Sequence, residues 1–199
     1  MSDRSLLWLV AALLLGGCAI ERTQVNDYLD PQTAMTVRAV AAPFIYARDV
    51  PELAANVRDY LSLGAVEVNN MGARKHYLAA VSWSTIDRRR VDGSPPPLPE
   101  RIELTLAGKT RVLSLASHES RSLGIGEPLF RPPRGYLGES WYVVTPADLR
   151  AFAAAPPESI DIAVESGRTS YGLWRHADTA LEDFVRDIPD TPTSEQRRR

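Results

Sequence analysis

Cysteine is almost absent. The 199 residues hold one, Cys18, so no disulfide can close within the chain and no cysteine-based zinc cluster can form. Histidine is scarce as well: His76, His118 and His176 lack the close, regular spacing of metal ligands. Each reads as a surface or strand-edge residue unless the fold brings the three together. Neither sign of charge dominates. A net charge of −2 with both signs interspersed leaves no basic stripe for nucleic acid. Gly-x-Ser-x-Gly is missing, which removes the nucleophile elbow of the α/β hydrolases. Gly124-Ile125-Gly126 stops short of a dinucleotide fingerprint and lacks the strand-then-helix setting. Ser117, His118 and Glu119 set a hydroxyl, an imidazole and a carboxylate side by side, yet neighbours on an extended chain face opposite ways. No cofactor or metal site and no catalytic group stands out, so the chain reads as a non-enzyme.

What is present begins near the initiator methionine. Arg4 precedes an apolar run from Leu6 to Leu15, followed by Gly16, Gly17 and Cys18. A charged start, an apolar segment and small residues at a cut form a secretory signal. The run is about ten residues, half of what a bilayer-spanning helix needs, and no later run approaches that length. Leu15-Gly16-Gly17-Cys18 resembles the lipobox of bacterial lipoproteins. That resemblance implies removal of residues 1–17, acylation of Cys18, and a protein held to the membrane by covalent lipid. Ala19 follows the cysteine where an aspartate would favour the inner membrane, so the resemblance implies the outer membrane, periplasmic face. It extends over the first twenty or so residues and says nothing about the fold behind them.

Once the signal is removed, about 180 residues remain, a usual size for one domain. Residues 18–33 read as a lipidated start and short tether ending at Asp30-Pro31, 34–189 as a single β-rich domain, and 190–199 as a disordered tail without an apolar residue. Ala34 to Val40 and Phe44 to Ala47 suggest short strands, while Pro51 to Leu61 suits a loop or a helical turn. Period-two alternation from Tyr60 to Val68 and from Tyr77 to Trp83, around Asn69-Asn70-Met71-Gly72, predicts a hairpin. Ile102 to Leu106 with Val112 to Ala116 predicts a second, and Ile160 to Val164 with Tyr171 to Trp174 a third. Thr145-Pro146 starts a helix that Pro156-Pro157 ends; a second runs from Asp178 to Ile188 before Pro189. The fold class is mainly β, β-rich α+β: an antiparallel sandwich or barrel-like sheet with two short helices near the C-terminus.

Residues 118–138 have no clear period and are rich in glycine and proline. Irregular segments of such length are uncommon in compact domains and are often functional. This one carries Arg121, Phe130, Arg131, Arg134 and Tyr136, the arginine–aromatic mix that binding surfaces favour, and these are its candidate partner-binding residues. The plainer alternative is that Leu123, Ile125, Leu129 and Phe130 close one end of the sheet. Arg88 to Arg90 and Arg197 to Arg199 read as solvated charge, with anionic headgroups as the alternative partner. Trp83, Trp141 and Trp174 fall in predicted strands and are expected in the core, with an exposed aromatic platform for sugars as the alternative. The leading expectation is an accessory or interaction subunit of an envelope assembly, with an envelope protein as partner. The alternative is a module that binds a small ligand, glycan or lipid through 118–138. An apolar pocket beneath that segment would favour the latter.

Overall fold

The computed structural model describes residues 24–87, 99–106, 108–131, 135–164, 167–177 and 179–189. The signal segment with Cys18, the arginines at 88–90 and 197–199, Arg134 and the 190–199 tail all lie outside them. Ten strands appear: β1 Val25–Leu29, β2 Thr36–Val40, β3 Phe44–Asp49, β4 Arg58–Asn70, β5 Ala73–Ser84, β6 Arg101–Leu106, β7 Lys109–Ser117, β8 Tyr136–Val143, β9 Ser159–Val164 and β10 Gly167–Arg175. All pairings are antiparallel. Going round from β3 the order is β4, β5, β8, β7, β6, β9 and β10, which returns to β3. The sheet is therefore a closed barrel and not a sandwich.

Periodicity decides what fills it. Leu61, Leu63 and Ala65 of β4, Leu78 and Ala80 of β5, Ile102 and Leu104 of β6 and Tyr142 of β8 point inward and are buried in one cluster. Arg101 and Glu103 of β6 and Asp161 and Arg168 of β9 and β10 lie on the other face, which is polar along this wall. Helices α1 (Pro146–Ala154) and α2 (Ala180–Arg186) close one end. Thr145 caps α1 by accepting from the Asp148 N–H at 3.1 Å, with Pro146 in the first turn. Leu149, Phe152, Leu181 and Phe184 join the interior cluster, and Phe152 stacks on Phe44 at 4.9 Å.

The tether expected over 18–33 is shorter than that. Val25–Leu29 is a strand, paired with β2 from Val25↔Val40 to Leu29↔Thr36, so the folded domain starts before residue 34. A backbone ladder with β2 orders this part of the segment despite its polar side chains. Pro51 to Val57 forms turns, not a helix. The first hairpin closes through Met71 and Gly72, both at positive φ (50° and 93°), with the Asn69 carboxamide accepting from Gly72 N–H at 2.8 Å.

β2 and β3 run along the same edge of β4. β2 pairs Thr36↔Asn69 to Ala39↔Val66, and β3 resumes at Phe44↔Leu63. Between them the chain steps out at Ala41 to Pro43. On the outer face of β4, β5 and β8 a second core collects Val66, Val68, Tyr77, Ala79 and Trp141 together with Val37 and Ala39 of β2. Much of the 118–138 segment covers it. A 3-10 turn, Ser120–Leu123, leads to the fully buried Ile125, and Leu129 and Phe130 pack beside it.

Candidate functional site

The cover is fastened at Asp30, one of the few buried charged residues. Its Oδ1 accepts from the N–H groups of Gln32 and Thr33 at 2.9 and 3.1 Å, and its Oδ2 accepts from Gly126 N–H at 2.7 Å. Thr33 Oγ1 donates to Gly124 O at 2.7 Å. Burial alone would raise the Asp30 carboxyl, but backbone N–H groups of Gly126, Gln32, Thr33 and Glu127 hold it below its ordinary value. Farther along, the Phe130 ring lies on Gly64. A Cβ there would sit 2.2 Å from the ring's Cζ. Gly64→Ala is therefore expected to displace Phe130 and destabilise the fold by about 1–3 kcal/mol. Phe130→Ala in the same chain should recover part of that loss, as a less-than-additive cycle in urea unfolding. A neutral Gly64→Ala would show that the ring does not depend on this seat.

Where the cover ends, a cleft of about 730 Å³ opens on the outer wall of the barrel. Its floor is Ile45 of β3, Tyr60 and Ser62 of β4 and Trp83 of β5, all on the outward face. Leu129, Phe130 and Arg131 wall one side, and Ala41 and Pro43 line the step between β2 and β3. Trp174 and Arg175 of β10 also line it, although consecutive residues on a regular strand face opposite ways. A bulge accounts for this. The β10–β3 ladder pairs Leu173↔Tyr46 and then Arg175↔Ile45, leaving Trp174 as an extra residue.

The rings are held in a set geometry. Tyr60 and Trp83 stack at 5.2 Å with 9° between planes, and Trp174 meets Tyr60 edge-on at 6.3 Å. The Arg58 guanidinium sits 4.3 Å from the centre of Trp174 and is neutralised by Asp49 at 2.7 Å. Trp174 is nevertheless 55% exposed, so a large apolar side chain is presented at the cleft mouth. Of the hydroxyls nearby, Ser62 Oγ donates to Val81 O, Ser84 Oγ donates to Arg58 O, Thr85 Oγ1 accepts from Arg58 N–H, and that of Tyr60 interacts with the Arg58 guanidinium. The described lining holds no carboxylate, imidazole or thiol. Arg131 and Arg175 are exposed, and neither has an ion-pair partner among the described residues.

The candidate residues read from the sequence thus separate. Phe130 and Arg131 reach the cleft. Arg121 is exposed in the 3-10 turn and does not line it. Tyr136 opens β8, its backbone paired with Trp83. Of the three tryptophans expected in the core, Trp141 and Trp83 are buried and Trp174 is not. Tyr60 and Arg175 carried no site signal in the sequence beyond the shared parity of Tyr60 with Ser62, and Trp174 stood only in the alternative of an aromatic platform.

The histidines have separate surroundings. His76 Nε2 lies 2.9 Å from Glu67 Oε2, His118 Nδ1 lies 2.9 Å from Ser140 Oγ, and His176 meets Phe44 edge-on at 6.2 Å. Among the described residues no group of three or more His, Cys, Asp or Glu side chains is arranged to hold a metal. Around Glu67, Arg74 Nη1 lies 3.3 Å from Oε1. Arg38 runs along α2, donating to Phe184 O at 3.0 Å and Asp187 Oδ2 at 2.7 Å. Burial would raise the Glu67 carboxyl, but its bond to His76 and the charges of His76, Arg74 and Arg38 hold it below its ordinary value.

No helix among the described residues is long and apolar enough to cross a membrane. Comparison with protein families, with characterised proteins and with solved structures returned no match.

Proposed function

We propose that this chain is a non-catalytic binding lipoprotein of the bacterial envelope. Acylated Cys18 anchors it to the outer membrane on the periplasmic side, and the outer-wall cleft is its recognition site. One observation carries the site: the β10 bulge brings Trp174 and Arg175 together beside the Tyr60–Trp83 stack. Aromatic and arginine side chains in a concavity of this size suit capture of a small or segmental ligand more than contact with a flat protein face. Acid–base chemistry has no obvious agent there, since the described lining lacks carboxylate and imidazole.

A second reading, recruitment of an envelope protein, is favoured by β1. Among the described residues it pairs with β2 alone, so its other edge offers a place for strand addition, and Leu29 is 65% exposed. Photo-crosslinkers at Trp174, at Asn26 and at Val112 on another wall, in the full chain expressed in bacteria, separate the readings. Adducts of one low-mass class from position 174, absent from 26 and 112, would support the cleft. A discrete protein adduct from position 26 alone would move the function to the strand edge.

A further inference from the structure

The side of the barrel from which the chain leaves toward Cys18 identifies the cleft's ligand. Gln24, the first described residue, accepts a hydrogen bond through its carbonyl from Ala41 N–H at 2.8 Å, and Ala41 lines the cleft. Five residues lie between Cys18 and Gln24, a reach of at most about 22 Å. If acyl chains hold Cys18 at a bilayer surface, that short connection keeps the cleft beside the headgroups. We propose that the cleft takes the headgroup and glycerol region of anionic phospholipids in the membrane that carries the anchor. This rests on the anchored binding-protein reading above.

The chemistry of the lining fits such a ligand. Tryptophan and tyrosine favour the boundary between headgroups and hydrocarbon, where a ring can be apolar on one side and wet on the other. Trp174 stands there half exposed, with Tyr60 and Trp83 behind it. Arg131 and Arg175 are the cationic groups of the rim that lack an ion-pair partner among the described residues, and a guanidinium matches phosphate oxygens in bidentate fashion. Arg58, already paired with Asp49, holds Trp174 and takes no part in charge recognition. Of the four hydroxyls in the described lining, those of Ser62 and Ser84 are spent on backbone carbonyls, Thr85 accepts from Arg58 N–H and Tyr60 lies by the Arg58 guanidinium, a small polar complement beside so much apolar area. What the cleft offers is apolar area and positive charge, complementary to a phosphate ester with an aliphatic body. With no carboxylate in the described lining, an anion meets no repulsion there.

A chain starting at residue 19 keeps every described residue and lacks the lipid, so binding through the cleft can be measured free of the anchor. Co-sedimentation with vesicles of phosphatidylglycerol and phosphatidylcholine should show binding that weakens as salt is raised, with tryptophan emission shifted to the blue. Pure phosphatidylcholine vesicles should bind poorly. Arg131→Glu with Arg175→Glu should weaken binding by about tenfold or more. Arg101→Glu with Lys109→Glu, the same charge change on exposed residues of β6 and β7, should weaken it far less. Trp174→Ala should remove the emission shift. Circular dichroism of each variant verifies that it is folded. Equal binding to both vesicle types, or equal loss in both charge-reversed pairs, overturns the proposal. Binding of an acidic peptide without binding of vesicles also overturns it. Mass spectrometry of the full chain extracted from membranes reports the anchor separately. An unmodified Cys18 removes the anchored reading, and an acylated chain whose residue-19 form ignores vesicles removes only the lipid-headgroup assignment.

Discussion

Glu67→Gln should destabilise the barrel by about 2–3 kcal/mol at pH 7, because Arg74 and His76 lose the buried carboxylate that both contact. Glu67 is 4% exposed, so water cannot replace the lost charge. The pH dependence follows from the direction of the shift. The folded carboxyl lies below its ordinary value of 4.5, so its contribution is present above the ordinary carboxylate range. It disappears as pH falls through the depressed folded value. Asp30, shifted the same way, adds to this loss in acid and frees the 124–127 segment that leads to the cleft wall. Urea unfolding of both proteins at pH 7 and in stepwise acid should therefore show their stabilities converging as pH falls. A gap independent of pH would assign the loss to packing. No gap at pH 7 would mean that the cluster contributes nothing net.

Phe152→Ala should have the largest effect on stability, a loss of about 3–5 kcal/mol and a melting temperature lower by roughly 10 °C. Phe152 is 2% exposed and stacks on Phe44 at 4.9 Å, where α1 meets the open end of the barrel. Truncation leaves a void between two elements that cannot collapse together, since α1 is fixed by its Thr145 cap and Arg111–Asp148 contact at 3.2 Å. Val112→Ala, on the outer surface at 55% exposure, should change stability by less than about 0.5 kcal/mol. Calorimetry of the two variants checks both. A Phe152→Ala shift of only a degree or two would mean that α1 does not close the barrel.

The site was legible only in part. Phe130 and Arg131 stood out because arginine and aromatic residues were interspersed in a segment without period. Arg121 had the same signal and lies elsewhere, because a 3-10 turn and the burial of Ile125 decide which parts of that segment stay outside. Trp174 read as core because tryptophan in a strand usually is. Alternation with the inward Tyr171 and Leu173 already faces it outward; the bulge that brings Arg175 to the same side depends on how β10 meets β3, two strands more than a hundred residues apart in sequence.

The sequence alone determined the hairpins, the turn at Met71-Gly72, the Thr145 helix start and the β-rich class. Each is a local matter, in which alternation, positive-φ residues and caps act between residues a few positions apart. Tertiary structure decided the rest. Closure into a barrel, not a sandwich, required β10 to find β3. The order of Val25–Leu29 required β2 as a partner, and the cleft required strands β3, β4, β5 and β10 to meet the 129–131 segment. Those contacts join residues far apart along the chain. Their energy comes from burying surfaces against one another, and no single surface carries a record of its partner.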